Sequence, residues 1–190
     1  VEDSPDNQRY REVLTTWFNA ASPENDLKWP AWAGEWNQPF PKERTLAGLR
    51  WLKERGMPVR GHVLIWPGWR NLPPSIGKLY RDKKQKQIPE RVLAHFKDIL
   101  GATSGLIDEW DVLNEPYDNH DLMGLFGADI MVEWFKAARA GFPEGELYLN
   151  DYANHDLVAD KGHCEHFFRT AKFLLDKGAP LTGLGVQGHI

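Results

Sequence analysis

The chain has 190 residues, 23 Lys+Arg against 27 Asp+Glu for a formal net charge of −4, and 42% hydrophobic against 26% charged residues. That length and balance describe one globular domain or part of a larger one, and exclude a disordered or fibrous chain. The acidic balance argues against a nucleic-acid surface, no apolar run is long enough to span a bilayer, and the single cysteine, Cys164, excludes an internal disulfide.

Val1 opens the chain without methionine or signal peptide, so a processed or cut start is expected. Val13, Leu14 and Trp17 end a helix begun near Asp6, and a first strand is expected over 17–21. Leu46, Leu49 and Leu52 recur at helical spacing before the stop signal Gly56-Met57-Pro58, and a second strand follows at 59–66. Ile88, Val92, Phe96, Ile99 and Leu100 form an apolar stripe ending at Gly101, ahead of a third strand at 109–114. Ile130, Trp134, Ala137, Ala138 and Gly141 form the next stripe, stopped by Pro143, and a strand follows at 146–152. Cys164, Phe167, Phe168, Ala171, Leu174 and Leu175 form the last, closed by Gly178, before a strand at 183–190. Strands alternating with helices demand a parallel sheet with right-handed crossovers, either doubly wound or a β/α barrel. No Gly-x-Gly-x-x-Gly and no phosphate-loop pattern appears, which weakens the nucleotide-binding versions. A barrel places its chemistry at the C-terminal ends of the strands.

Polar residues gather there: Ser22 to Trp29 after the first strand, His62 and Trp66 on the second, Asn114-Glu115-Pro116-Tyr117, Asn150-Asp151-Tyr152 and Gln187-Gly188-His189 on the others. Strand alternation puts His62, Leu64 and Trp66 on one face of their strand, and likewise groups Asn150 with Tyr152 and Gln187 with His189, so that aliphatics take one side and polar or aromatic tips the other. Nine tryptophans are the compositional oddity, and the cluster Trp29, Trp32, Trp36 in a Pro/Gly-containing stretch is hard to bury as a set. Carboxylates, amides, imidazoles and indoles without a metal-ligand cluster suit a neutral, hydroxyl-rich substrate. Amides and carboxylates read hydroxyls, and indoles stack on the C–H faces of sugar rings. Glu115 is the best candidate acid, because desolvation at a strand end raises a carboxyl pKa toward neutrality. Glycoside hydrolysis needs a second carboxylate beside it, whereas a merely structural Glu115 would pair with a buried Arg or Lys.

Five segments carry a resemblance. Glu24-Asn25-Asp26-Leu27-Lys28-Trp29, Arg60-Gly61-His62-Val63-Leu64-Ile65-Trp66, Trp110-Asp111-Val112-Leu113-Asn114-Glu115-Pro116, Leu147-Tyr148-Leu149-Asn150-Asp151-Tyr152 and Gly185-Val186-Gln187-Gly188-His189-Ile190 resemble glycoside hydrolase family 10, the endo-β-1,4-xylanases of the β/α-barrel type. The resemblance implies an α/β fold that is part of a (β/α)8 barrel, strands two to six, over residues 1–190. It implies that Glu115 is the acid/base of a retaining double displacement and that Asn114 holds the sugar 2-hydroxyl at the cleavage point. Glu24, Asn25 and Lys28 would bind xylose units on the glycone side, while His62 and Trp66 would contact the sugar at and beside the cleavage point. Gln187 would lie beside the acid/base, His189 beside the nucleophile, and Tyr152 on the aglycone side. The implied ligand is xylan or a xylooligosaccharide; no cofactor, metal, nucleic acid or membrane is implied, and oligomeric state is left open. An extracellular or periplasmic location comes with the polymeric substrate. Pro67 stands where the family usually has histidine, and Trp69-Arg70-Asn71 departs from the usual continuation, which puts the subsite contacts there in question. The family's nucleophile belongs to the next-to-last strand, beyond the motif ending at Ile190, and a full barrel needs about 250 residues. The 190 residues are therefore expected to be an incomplete barrel, inactive alone and prone to pairing through its open edges. A carbohydrate-binding protein without catalysis, or another barrel β-glycanase, remains as an alternative.

The other motifs read as structural. His163 and His166 read as a solvated pair on a helix face, Lys83-Lys84-Gln85-Lys86 as a solvated loop, and Asp118 to Asp121 as lacking calcium-ligand spacing. Trp51 and Trp134 read as helix packing and Cys164 as an inert core thiol.

Overall fold

A computed structural model of the chain describes residues 3–152 and 161–188. Helices α1 (Pro5–Trp17), α2 (Trp29–Trp32) and α3 (Lys42–Lys53) precede strand β1 (Arg60–Ile65); α4 (Pro74–Arg81) and α5 (Ile88–Ala102) lead to β2 (Glu109–Asn114). Then come α6 (Asp121–Phe126), α7 (Asp129–Gly141), β3 (Glu146–Asp151), α8 (Lys161–Asp176) and β4 (Gly183–Val186). The strands form a parallel four-stranded sheet in chain order, β1-β2-β3-β4. Sequential order with every connection a helical crossover is how an arc of a β/α barrel is built.

The helix stripes explain the outer layer. In α5, Ile88, Val92, Phe96, Ile99 and Leu100 are buried at helical spacing. In α7 the buried face is Met131, Val132, Trp134, Phe135 and Ala138, so Ile130 and Ala137 flank the seam and do not form it. These faces meet the outward side chains of the strands, Trp110, Val112, Leu147 and Leu149, all fully buried. Gly61 is required there: a Cβ on it would overlap the Trp110 indole. Past the end of helix α3 the chain turns at Gly56, whose φ of +66° favours a residue without Cβ.

Four expectations change. The strand over 17–21 is absent as a strand, because α1 runs through Trp17 and only Ala21 pairs, in a single parallel bridge with Val59. Nothing buries a side chain of α1, and Trp17 and Phe18 are 79% and 59% exposed, so no packing face holds that segment extended. The last strand ends at Val186, short of the span 183–190. In α8 the buried face turns to His163, Cys164, Phe167, Thr170, Ala171 and Leu174, leaving Phe168 and Leu175 exposed. The solvated reading of His163 fails for the same reason: that side of α8 lies against Asp151 and Tyr117. Cys164 is buried and Trp134 is core.

Inside the arc the strands turn polar groups toward one another. Arg60 donates Nε and Nη2 to Asp111 Oδ1, at 3.0 and 2.5 Å, and stacks over the Tyr148 ring at 4.0 Å. Parallel sheets bury both faces, so such charges survive only when paired. No helix among the described residues is long and apolar enough to cross a membrane.

Candidate active site

β2 delivers Asn114 and Glu115 to the C-terminal rim of the sheet. The strand ladder continues one residue past Asn114, with Glu115 N–H donating to Asn150 O at 2.9 Å. There the chain turns: Glu115 has φ +49°, a left-handed conformation that costs energy for any residue with a Cβ. Two bonds from Asn119 to the Glu115 carbonyl, from its N–H at 3.0 Å and its Nδ2 at 3.2 Å, hold that turn. The carboxylate is 7% exposed and is gripped from both sides. Gln187 Nε2 donates to Oε1 at 2.9 Å, and Asn119 Nδ2 makes a longer approach to Oε2 at 3.4 Å.

Asn114, fully buried, accepts from Asn150 Nδ2 at 2.8 Å and from Gln187 Nε2 at 3.3 Å. Its own Nδ2 has no hydrogen-bond partner among the described residues, and neither does the indole N–H of Trp66. Buried donors without acceptors are costly, and a hydroxyl ligand relieves them. Next along the rim, His62 Nδ1 lies 2.9 Å from Asp111 Oδ2 and its ring is 6.2 Å from Trp66 in an edge-to-face arrangement.

The segment 22–28 runs along the same rim. Lys28 Nζ donates to Asn25 Oδ1 at 2.8 Å and stands 5.4 Å from the centroid of Trp66 and 5.9 Å from that of Trp36. Burial holds the Lys28 pKa below its usual value, against the opposing pull of Glu24 and Glu115. Glu24 itself is exposed. Beside Lys28 opens a cavity of about 320 Å³ lined by Trp36, Trp66, Arg70 and Asn71 among others. The tryptophan cluster divides here: Trp29 and Trp32 are buried in α2, contrary to the expectation that the set resists burial, and Trp36 faces the cavity half-buried. α2 opens with Pro30 at its first turn, and Trp29 stacks on His95 with centroids 4.7 Å apart.

On the far side of Glu115, the Tyr152 hydroxyl donates to Asp118 Oδ2. That bond, then burial, pushes the phenol up to about 12. Asp151, wholly buried, accepts from Tyr152 N–H at 2.8 Å and meets His163 Nε2 at 2.7 Å; burial nonetheless raises its pKa. His163 lies between Tyr117, stacked at 4.4 Å, and Tyr152, edge-on at 4.8 Å.

The structure thus brings together Glu115, Asn114, Gln187, His62, Trp66, Lys28 and Asn25, with Tyr152 on the opposite flank; His189 lies outside the described residues. Sequence reasoning missed Asp111, Asn119 and His163. Asp111 and Arg60 sat inside a quoted strand motif. Asn119, 1% exposed, sat in an acidic loop whose only visible signal was its place four residues after Glu115. Among the described residues no group of three or more His, Cys, Asp or Glu is placed to hold a metal ion.

The profile of glycosyl hydrolase family 10 matches residues 2–190. The chain belongs to that family. Among family-10 relatives it is 29% identical to a β-1,4-xylanase of Dictyoglomus thermophilum, over 95% of this chain and 50% of that protein. It is 31% identical to endo-1,4-β-xylanase 1 of Humicola insolens, over 97% of this chain and 43% of that protein. It superposes with a TM-score of 0.78 on xylanase 10B of Thermotoga petrophila RKU-1 in complex with xylobiose, at 23% identity, covering 98% of this chain and 57% of that one. The family-10 fold is a (β/α)8 barrel, of which the four strands here are an arc. The chain spans about half the length of the curated relatives it matches.

Proposed function

We propose that these residues form the acid/base side of a retaining endo-1,4-β-xylanase site acting on xylan or xylooligosaccharides. The supporting observation is Glu115: a buried carboxyl on the rim, held by Gln187 and Asn119, beside an Asn114 amide with an unused donor. In this reading Glu115 protonates the glycosidic oxygen while a second carboxylate attacks the anomeric carbon. Glu115 then takes a proton from the water that releases the glycosyl-enzyme. Asn114 Nδ2 binds the 2-hydroxyl of the sugar at the cleavage point. Lys28, Asn25 and Glu24 bind hydroxyls on the glycone side, with Trp66 as platform and His62, fixed by Asp111, on the ring's other flank. Tyr152, tied to Asp118, borders the aglycone side, and His189 stands near the nucleophile. The second carboxylate comes from outside the 190 residues, so the chain by itself binds and does not cleave. The xylanases it resembles support this substrate, and a polymeric substrate implies a location outside the cytoplasm.

Binding and hydrolysis measured together test this. The chain is expected to bind xylohexaose saturably and leave it intact. Hydrolysis that Glu115→Gln abolishes would overturn the missing-carboxylate part, and preference for mixed-linkage glucan oligosaccharides would overturn the substrate.

A further inference from the structure

The departure at Trp69-Arg70-Asn71 places an arginine in the lining of the Lys28–Trp66 cavity. Its backbone and side chain are anchored. Trp69 N–H donates to Asp121 Oδ2 at 2.8 Å, Trp69 packs against Tyr80 at 4.9 Å, and Arg70 Nε reaches Asn119 Oδ1 at 3.3 Å. Asn71 Nδ2 takes the same oxygen at 2.7 Å. The guanidinium is therefore aimed by a buried amide, yet it makes no ion pair with any acid among the described residues. The cavity's other cation, Lys28, rests on the neutral Asn25 carbonyl. Its lining carboxylate, Glu35, is committed elsewhere, accepting from Ser75 N–H at 2.8 Å and Ser75 Oγ at 2.7 Å.

A half-open cavity with indole faces at Trp36 and Trp66, one oriented and unneutralised guanidinium, and an ammonium alongside is built for a ring that carries negative charge. A neutral xylose unit gives Arg70 only hydroxyls, whereas a carboxylate matches its planar donor fork bidentately. We propose that this glycone-side cavity recognises a uronic acid, a sugar bearing a carboxylate, through Arg70. The substrate is then an acidic, uronate-branched xylan in preference to a linear one. This rests on the xylan-binding reading above and adds the residue that selects among xylans.

The test compares binding of xylotetraose with xylotetraose carrying a glucuronic acid branch, by calorimetry at low and at 0.5 M salt. The acidic oligosaccharide is expected to bind about tenfold tighter at low salt, an advantage that shrinks with salt as exposed charge pairs are screened. In Arg70→Gln the ratio of the two affinities should fall to about one, and Arg70→Lys should restore part of it, having charge without the fork. Near-UV circular dichroism of the buried tryptophans confirms that each variant is folded. If the neutral oligosaccharide binds and the branched one binds no better, or Arg70→Gln leaves the ratio unchanged, the proposal fails and the xylan reading stands. If neither binds, the xylan reading fails and takes the proposal with it.

Discussion

At the scale of single residues, Asn119 and His95 do most to hold the site without touching a ligand. Asn119 spends both ends of its amide: Oδ1 accepts from Asn71 and Arg70, and Nδ2 donates to the Glu115 carbonyl, with the carboxylate in reach. It ties the loop after β1 to the loop after β2. Replacing it with alanine leaves buried groups unpaired, a loss of about 1–3 kcal/mol. Asn119→Ala should therefore unfold at a lower urea midpoint with an unchanged m-value, and should weaken xylooligosaccharide binding. His95 supports the floor of the groove, donating Nε2–H to Leu64 O at 3.1 Å and stacking on Trp29. Burial depresses its pKa from 6.5 to about 3. Above pH 6.5 both folded and unfolded imidazoles are neutral, so its contribution is intact. Below that the unfolded chain takes up a proton that the folded one refuses, and stability falls as pH falls toward 3, by at most about 1.4 kcal/mol per pH unit. Urea midpoints measured from pH 7 to pH 4 should fall less steeply in His95→Gln, which keeps a donor for Leu64 O and does not titrate.

At the scale of elements, α1 and α5 are opposites. α5 buries six side chains, Ile88, Val92, His95, Phe96, Ile99 and Leu100, between the sheet and α7. α1 buries none. It is held locally by the Ser4 hydroxyl accepting from Asn7 N–H at 3.2 Å and by Pro5 at its first position, which start a helix without docking it. A cavity of about 660 Å³ separates it from α3, lined by Tyr10, Leu14, Phe18, Leu49 and Trp51 among others. Stability follows burial, so hydrogen exchange followed by mass spectrometry should find α1 amides exchanging in seconds and α5 amides last of all. Equal protection of the two helices would show that α1 is docked in solution. In β4, Leu184 and Val186 are half exposed, and so are Phe168 and Leu175 on α8.

For the whole molecule, those exposures concentrate at the two ends of the arc: Tyr10, Trp17 and Phe18 at one, Phe168, Leu175, Leu184 and Val186 at the other. A β4 edge that has no partner strand among the described residues, beside an apolar surface, is a template for association. The 190-residue chain should self-associate as concentration rises, which sedimentation velocity reads directly, and Val186→Lys should reduce it by putting charge on the edge. A chain that stays monomeric to high concentration would show that the edges are protected in solution.

The parallel sheet, the alternation of its strands with helices and the polar residues of its rim were legible in the chain, because strand motifs such as Trp110 to Pro116 carry both a buried run and the polar tip that ends it. Glu115, Asn114, Gln187 and Trp66 were visible because they lie at those tips, and Lys28 because it belongs to the polar stretch Ser22 to Trp29. The span 17–21 misled because an apolar run reads as a strand whether or not a partner strand is beside it, and only Ala21 finds one. His163 misled because helical spacing says which residues share a face and not what the face meets. The role of Asn119 was invisible, since its partners Glu115, Arg70 and Asn71 come from two loops that meet only after β1 and β2 pair. The sequence alone determined the periodicities and the polar residues of the rim, which are local properties of each βα unit. Only the tertiary structure decided which loops touch, which histidines are buried and that Arg70 meets no acid among the described residues, because those depend on distances between units that are far apart along the chain.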